Sequence, residues 1–278
     1  MRLKFLTTVL LSALSLSLFA QRLTVASFNI RLKTSSDVGN LWENRKDAVN
    51  NLIKYHEFDI FGIQEGFLEQ VKDMEAGLPG FKYIGVGRDD GAQAGEHSAI
   101  FYNTKRFEVL SSGTFWLSAT ETTKPNKGWD AALPRICSWG VFKDKQNGKK
   151  FIFMNTHFDH IGVEARRESA KLIMAKAKEL AKGLPLVLTG DFNVDEHNEA
   201  YATLAKSGFV QDVHDLSPIV YAPNSSFNGW GKDLEPSGRI DHIFISKPFK
   251  VVKYGILTDT YMGKFPSDHF PVTAQLNW

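Results

Sequence analysis

Eight polar residues stand at or just past the ends of short apolar runs: Asn29, Glu65, His157, Asp191 with Asn193, Asp241, and Asp268 with His269. Each alone has an ordinary explanation. Asn29 or Asn193 can cap a turn, Glu65 can make a surface ion pair, and a lone histidine is more often structural than catalytic. Eight such placements in one chain are much harder to explain one at a time. Together they supply what hydrolysis of a phosphodiester or phosphomonoester needs. The charge on such an ester repels an incoming nucleophile, and a hard divalent cation held by carboxylates offsets it. Another carboxylate must orient and deprotonate water. Imidazoles or carboxamides must meet the charge that builds on the phosphoryl oxygens.

Such residues need strands that end together. The clearest candidate is the stretch 184–193, LPLVLTGDFN. Pro185 ends a preceding helix, and Leu186, Val187 and Leu188 suit a strand buried on both faces, broken at Gly190. Residues two apart in an extended chain point the same way, so Asp191 and Asn193 are expected side by side at its C-terminal end. Open α/β sheets place ligand chemistry there. Further strands are expected over 23–30, 59–63, 81–86, 97–102, 107–117, 239–245, 250–257 and 270–275. A hairpin is expected from 136–142 and 151–158, turning near Asn147-Gly148. Helices are expected over 42–55, 67–78, 163–182 and near 198–206, with a long loop over roughly 211–238. In the third helix Ala170, Ile173, Ala177 and Leu180 recur at spacings of three and four. Helical crossovers alternate with hairpins, which fits two packed mixed β-sheets with helices outside.

The 278 residues, 43% hydrophobic and 23% charged, suffice for a large soluble core. Residues 1–20 differ from the rest. Arg2 and Lys4 precede a Ser/Thr-diluted apolar stretch ending at Ala20, which reads as a cleavable signal peptide with Leu18 as an imperfect −3 residue. Residues 21–278 then read as a single catalytic domain, secreted or periplasmic, with no membrane span. Loss of Arg2 and Lys4 reduces the 33 basic residues to 31, against 31 acidic residues. A formally neutral mature chain advertises no stable nucleic-acid partner. Cys137 is the only cysteine, so no intrachain disulfide forms.

The blocks SFNIR, IQEG, NTHFDH, TGDFNV, RIDHIFIS and SDHFPV occur in this order between Leu23 and Pro271. The ordered set resembles the endonuclease/exonuclease/phosphatase superfamily, which includes deoxyribonuclease I, apurinic endonucleases, deadenylases, neutral sphingomyelinases and inositol polyphosphate phosphatases. GRDDG at 87–91 and GWDAALPRIC at 128–137 further resemble an exported bacterial branch of it. The resemblance implies an α/β fold, a four-layer α/β sandwich of two packed mixed β-sheets flanked by helices. It implies a phosphoesterase that uses Mg²⁺, or Mn²⁺, with Asn29, Glu65 and Asp268 at the metal. It implies catalytic roles for His157, Asp191, Asn193, Asp241 and His269. Asp191 would take the proton from water, Asn193 would donate to phosphoryl oxygens, and Asp241 would fix the tautomer of His269, the runs that hold the two being expected as strands of one sheet. By similarity to deoxyribonuclease I, Glu96 would partner His157.

Specificity is less legible. Arg135 has the planar fork to clamp a second phosphate, and Trp129 could stack on a base or sugar ring. A structural ion pair and a loop packed on the sheet explain them equally well. Asp159 and His160 in NTHFDH resemble the deadenylase block. Lys143, Lys145, Lys149 and Lys150 cluster at the hairpin tip, as solvated lysines or a phosphate patch. Asn224-Ser225-Ser226 has the form of a glycosylation sequon. The substrate is a phosphorylated small molecule, a lipid or a nucleic acid. The competing class is a non-catalytic binding module on the same fold. The sequence does not set the oligomeric state.

Overall fold

The computed structural model describes residues 22–222, 224–232, 234 and 238–278. The expected signal peptide at 1–20 lies outside them. The elements in chain order are β1 (Leu23–Asn29), α1 (Trp42–Tyr55), β2 (Ile60–Gln64), α2 (Leu68–Gly77), β3 (Phe81–Ile84), β4 (Ile100–Asn103) and β5 (Phe107–Trp116). The hairpin β6 (Ile136–Asp144) and β7 (Lys150–His157) follows, then α3 (Val163–Ala181), β8 (Leu186–Asp191), α4 (Glu199–Ala205), β9 (Gln211–Asp212), α5 (Val213–Leu216) and β10 (Val220–Tyr221). The chain closes with β11 (Asp241–Ile245), β12 (Lys250–Ile256) and β13 (Val272–Asn277).

Alternation along the strands decides the layers. In β1, Leu23 and Val25 face one way into a cluster with Phe153, Val187, Ile243 and Val272. Ala26 and Phe28 face the other way, onto Trp42, Val49 and Phe61 beside α1. In β7 and β8, Met154 and Leu188 face outward onto Ala170 and Ile173 of α3. Each fully buried side chain of this size stabilises the fold by about 1.5–3 kcal/mol. Two sheets therefore pack face to face with helices outside both, the expected four-layer sandwich. The seven-stranded sheet runs β10-β12-β13-β1-β2-β4-β3, and the six-stranded sheet runs β5-β6-β7-β8-β11-β9.

Two parallel pairs position the site. β1 runs beside β2 with Asn29 level with Gln64. β7 runs beside β8 with His157 level with Asp191, and antiparallel β11 sets Asp241 level with Asp191. His157, Asp191 and Asp241 thus form one row across three neighbouring strands, roughly 4.8 Å apart. All three share the phase of the inward residues Phe153, Val187 and Ile243, so all point at the other sheet.

Two expectations need correction, and one open alternative is decided. The region 211–238 is not one loop. Asp212 pairs with Phe244 as an edge strand, Asp212 caps α5 through the His214 amide at 2.9 Å, and Val220 pairs with Tyr254. Two-residue strands carry too little periodicity to be seen in sequence. The runs holding Asp241 and His269, expected as strands of one sheet, face each other from different sheets. The lysine-bearing hairpin tip lies at the start of β7, seven residues and roughly 23 Å from His157. Those lysines are a solvated turn and not a phosphate patch of this site.

Candidate active site

Beneath the row of acids lies a buried polar layer that bridges the sheets. The Asn155 amide donates to the carbonyls of Ile63 at 2.8 Å and Ala99 at 3.1 Å. Its oxygen accepts from Gln64 Nε2 at 2.8 Å and Thr189 Oγ1 at 3.0 Å. Gln64 also donates to Ser27 Oγ at 3.1 Å. Gly62 leaves the room, since a Cβ there would stand 2.1 Å from Asn155 Oδ1. These groups escaped the sequence reading, yet a signal was present. Ser27, Asn155 and Thr189 each sit two residues before Asn29, His157 and Asp191, polar positions on an apolar inward phase.

Above this layer the expected residues converge. The Asn29 amide donates to Glu65 Oε1 at 3.0 Å and to Asp191 Oδ2 at 2.9 Å, and lies 3.4 Å from His269 Nε2. His269 Nδ1 meets Asp241 Oδ2 at 2.9 Å, so the pairing expected between these two exists. His157 Nε2 stands 3.5 Å from Asp191 Oδ2. Its Nδ1 is 3.7 Å from Glu96 Oε2, too long for a hydrogen bond, while Arg88 holds that Glu96 oxygen at 2.7 Å. Glu96 is beside His157 as expected, with Arg88 as its firm partner. Ser267 Oγ donates to the Asn29 carbonyl at 2.7 Å and ties the last loop to the end of β1. Arg45, fully buried, donates to the carbonyls of Ile30, Arg31 and Pro266 and clamps the same corner.

Asn193 is reached differently from expected. The strand ends at Asp191, and Asn193 turns into the left-handed region at φ 50°. Its backbone N–H donates to Asp191 Oδ1 at 2.9 Å, and its amide donates to the Phe158 carbonyl at 3.0 Å. The turn, rather than an extended chain, keeps it beside Asp191. Arg31 and Glu65, at φ 56° and 64°, share this conformation. Non-glycine residues held there cluster at functional sites.

The remaining expected residues divide. Asp268 is buried, with its carboxylate 3.6 Å from Arg31 Nε. Arg135 is nearly buried and pairs with Asp159 Oδ2 at 3.2 Å and His160 Nδ1 at 2.9 Å, leaving Nη1 without a partner among the described residues. Trp129 packs against the cluster under α3, which is the structural of its two readings.

The charges follow from these contacts. Burial, with the neighbouring Asp241 charge, raises Asp191 to about 7. Burial works against a charged His269, but Asp241 outweighs it and raises the imidazole to about 10. Burial opposes the Glu65 charge too, yet His269 and the Asn29 hydrogen bond hold its carboxyl below the usual range. Burial pushes His157 well below the ordinary imidazole value, and Arg135 and Arg88 add to this. One histidine is thus charged and the other neutral at pH 7, a division suited to distinct roles.

Donor atoms of Glu65, Asp191 and His269 lie within 4.8 Å of one another. A charged imidazole does not ligate, so the usable donors are the carboxylate oxygens and the Asn29 carboxamide. That all-oxygen set fits a hard divalent cation. Fold and site define the class: a metal-dependent hydrolase of phosphoric esters. The chain belongs to the endonuclease/exonuclease/phosphatase family, whose model matches residues 26–269. It is similar to a mannosyl-6-phosphatase of Bacteroides thetaiotaomicron, with 50% identity and TM-score 0.90 over 92% of this chain and 100% of the other. It is similar to a family member of Bacteroides vulgatus, with 42% identity and TM-score 0.88 over 92% and 99%. An uncharacterized protein of Acanthamoeba polyphaga mimivirus is 30% identical over 83% of this chain and 90% of its own length.

Proposed function

We propose that the protein is an exported, Mg²⁺-dependent phosphatase that removes a terminal phosphate from a phosphorylated sugar. The observation that carries the substrate class is the 50% identity, over 92% of this chain and the whole of the other, to a mannosyl-6-phosphatase. The formally neutral mature chain supports a small substrate over a long polyanion. Export rests on the composition of residues 1–20.

In this reading Glu65 and Asn29 would hold the cation, with Asp268 completing the acidic edge. Bound there, the cation offsets charge on the phosphoryl oxygens. Asp191, raised to about 7, orients water for in-line attack and takes its proton. His269, charged and fixed by Asp241, stabilises the oxygens of the transition state. His157, neutral, lies 3.5 Å from the same Asp191 oxygen that His269 faces at 3.8 Å and offers a second donor. Asn193 keeps one amide hydrogen for a phosphoryl oxygen, its other being engaged by Phe158.

The test is phosphate release from mannose 6-phosphate by the purified mature protein, with and without EDTA. Metal-dependent release is expected. Efficient cleavage of bis-p-nitrophenyl phosphate with no release from any sugar phosphate would identify a diesterase instead. Full activity in excess EDTA would exclude metal dependence.

A further inference from the structure

Two of the guanidiniums around the acidic site, those of Arg31 and Arg135, are each anchored along one edge. Arg135 is fixed through Nε by Asp159 at 3.2 Å and through Nη2 by His160 at 2.9 Å, and its Nη1 is unpartnered. Arg31 is fixed by Asp37, through Nε at 2.8 Å and Nη2 at 3.1 Å. Its Nη1 makes no hydrogen bond among the described residues, the Glu65 carboxylate lying 3.9 Å away. Arg31 thus stands on the Glu65 and Asp268 side, whereas Arg135 stands beside His157 and Glu96, to which its charge couples.

The backbone under Arg31 is as fixed as its side chain. Its φ of 56° is left-handed. Its N–H donates to Asn29 Oδ1 at 3.0 Å, and its carbonyl accepts from Arg45 at 2.7 Å and Gln70 at 2.8 Å. A counter-ion that only balanced Glu65 and Asp268 would close on them with hydrogen bonds. Arg31 instead bonds Asp37, outside the acid cluster, and keeps its side chain 28% exposed.

A phosphomonoester dianion differs from a diester in having a third terminal oxygen and a second charge. Recognising that difference needs a further donor, and a guanidinium fork matches phosphate oxygens. We propose that Arg31 is a specificity residue whose Nη1 receives the third terminal oxygen of a phosphomonoester dianion, with Asp37 as its positioning residue. The proposal rests on the phosphatase reading above.

The experiment uses the Mg²⁺-loaded mature protein and variants R31A, R31K and D37N. Inorganic phosphate binding is measured by calorimetry, alongside KM and kcat for p-nitrophenyl phosphate and bis-p-nitrophenyl phosphate. R31A should weaken phosphate binding and raise the monoester KM by about tenfold or more, the scale of one charge-assisted hydrogen bond. The diester KM should rise much less. R31K keeps the charge and the loop but loses the fork, so it should fall on the same side as R31A. D37N should show a smaller effect of the same sign. R31A binding phosphate like the wild type, or monoester and diester losing equally, overturns the proposal. If R31A does not fold, R31K decides between these outcomes. A wild type that binds phosphate through Arg31 but hydrolyses no monoester would sink the phosphatase reading and leave Arg31 as an anion site.

Discussion

Asp241 and His242 are neighbours in β11, and each belongs to a buried histidine–aspartate pair on an opposite face of the sheet. Inward, Asp241 holds His269 at 2.9 Å. Outward, His242 Nδ1 lies 3.4 Å from Asp212. The outward pair is closed. Asp212 also takes Arg239 at 3.0 Å and the Tyr201 hydroxyl at 3.0 Å, and His242 Nε2 meets the Val194 carbonyl at 3.1 Å. The inward pair is open. Among the described residues His269 Nε2 has only Asn29 at 3.4 Å and Asp191 at 3.8 Å, both longer than a good hydrogen bond. The same two side-chain types thus serve different ends. A histidine whose second nitrogen has a permanent partner can only hold structure. One whose second nitrogen faces other catalytic groups across a gap can act on a substrate.

That contrast breaks or stands on mutation. His269→Ala and Asp241→Asn should each lower turnover by about 10²–10⁴ with near-normal folding, because the charged donor is lost or misaligned. The double variant should lose little more than either single one, as groups acting as a unit are non-additive. Additive losses in steady-state kinetics would mean that the inward pair is not a unit. Asp212→Asn should do the reverse. It leaves Arg239 buried without its carboxylate, costing about 3–5 kcal/mol in urea unfolding, while the folded fraction keeps its turnover. A large fall in kcat with intact stability would erase the distinction between the faces.

Metal sharpens the same comparison. A cation that binds only the folded site adds about 2.7 kcal/mol at a hundred times its Kd. Mg²⁺ should therefore raise the melting temperature of the wild type and of Asp212→Asn. The gain should vanish in Glu65→Gln, along with metal-stimulated turnover. Equal stabilisation of Glu65→Gln would place the metal elsewhere.

The smallest expected effects are in pH. Burial opposes the Asp212 charge, but His242 and Arg239 outweigh it and hold the carboxyl well below its usual range. A depressed carboxyl stabilises the fold above its unfolded value of about 3.9 and loses that contribution as pH falls toward the folded value. Stability should thus decline below about pH 4, less steeply in Asp212→Asn. His269 has the opposite sign. Raised to about 10, it contributes stability below its unfolded value that is lost as pH climbs through about 10. Asp241→Asn removes the main cause, so the alkaline limb of turnover should move to lower pH. An unmoved limb would show that Asp241 does not set the charge of His269.

The sequence by itself determined the longer elements and most of the site's membership. Period-two and helical spacing set the layers, because burial enforces them locally, and helix α1 was readable to the residue. Asn29, Glu65, His157, Asp191, Asp241 and His269 were legible because each polar residue interrupts an apolar run. Tertiary structure alone decided how they meet. Register set His157, Asp191 and Asp241 in one row, and sheet packing brought His269 to Asp241 from the opposite sheet. Neither can be read from the sequence, because both depend on contacts between residues far apart in the chain, 28 positions for Asp241 and His269. The same holds for which histidine became the working one. In DHIF and SDHF, Asp241, His242, Asp268 and His269 look alike. Only the fold brings the Val194 carbonyl to the second nitrogen of His242 and leaves that of His269 open. Arg31, too, looks like any surface arginine until the fold places Asp37, Glu65 and Asp268 around its guanidinium.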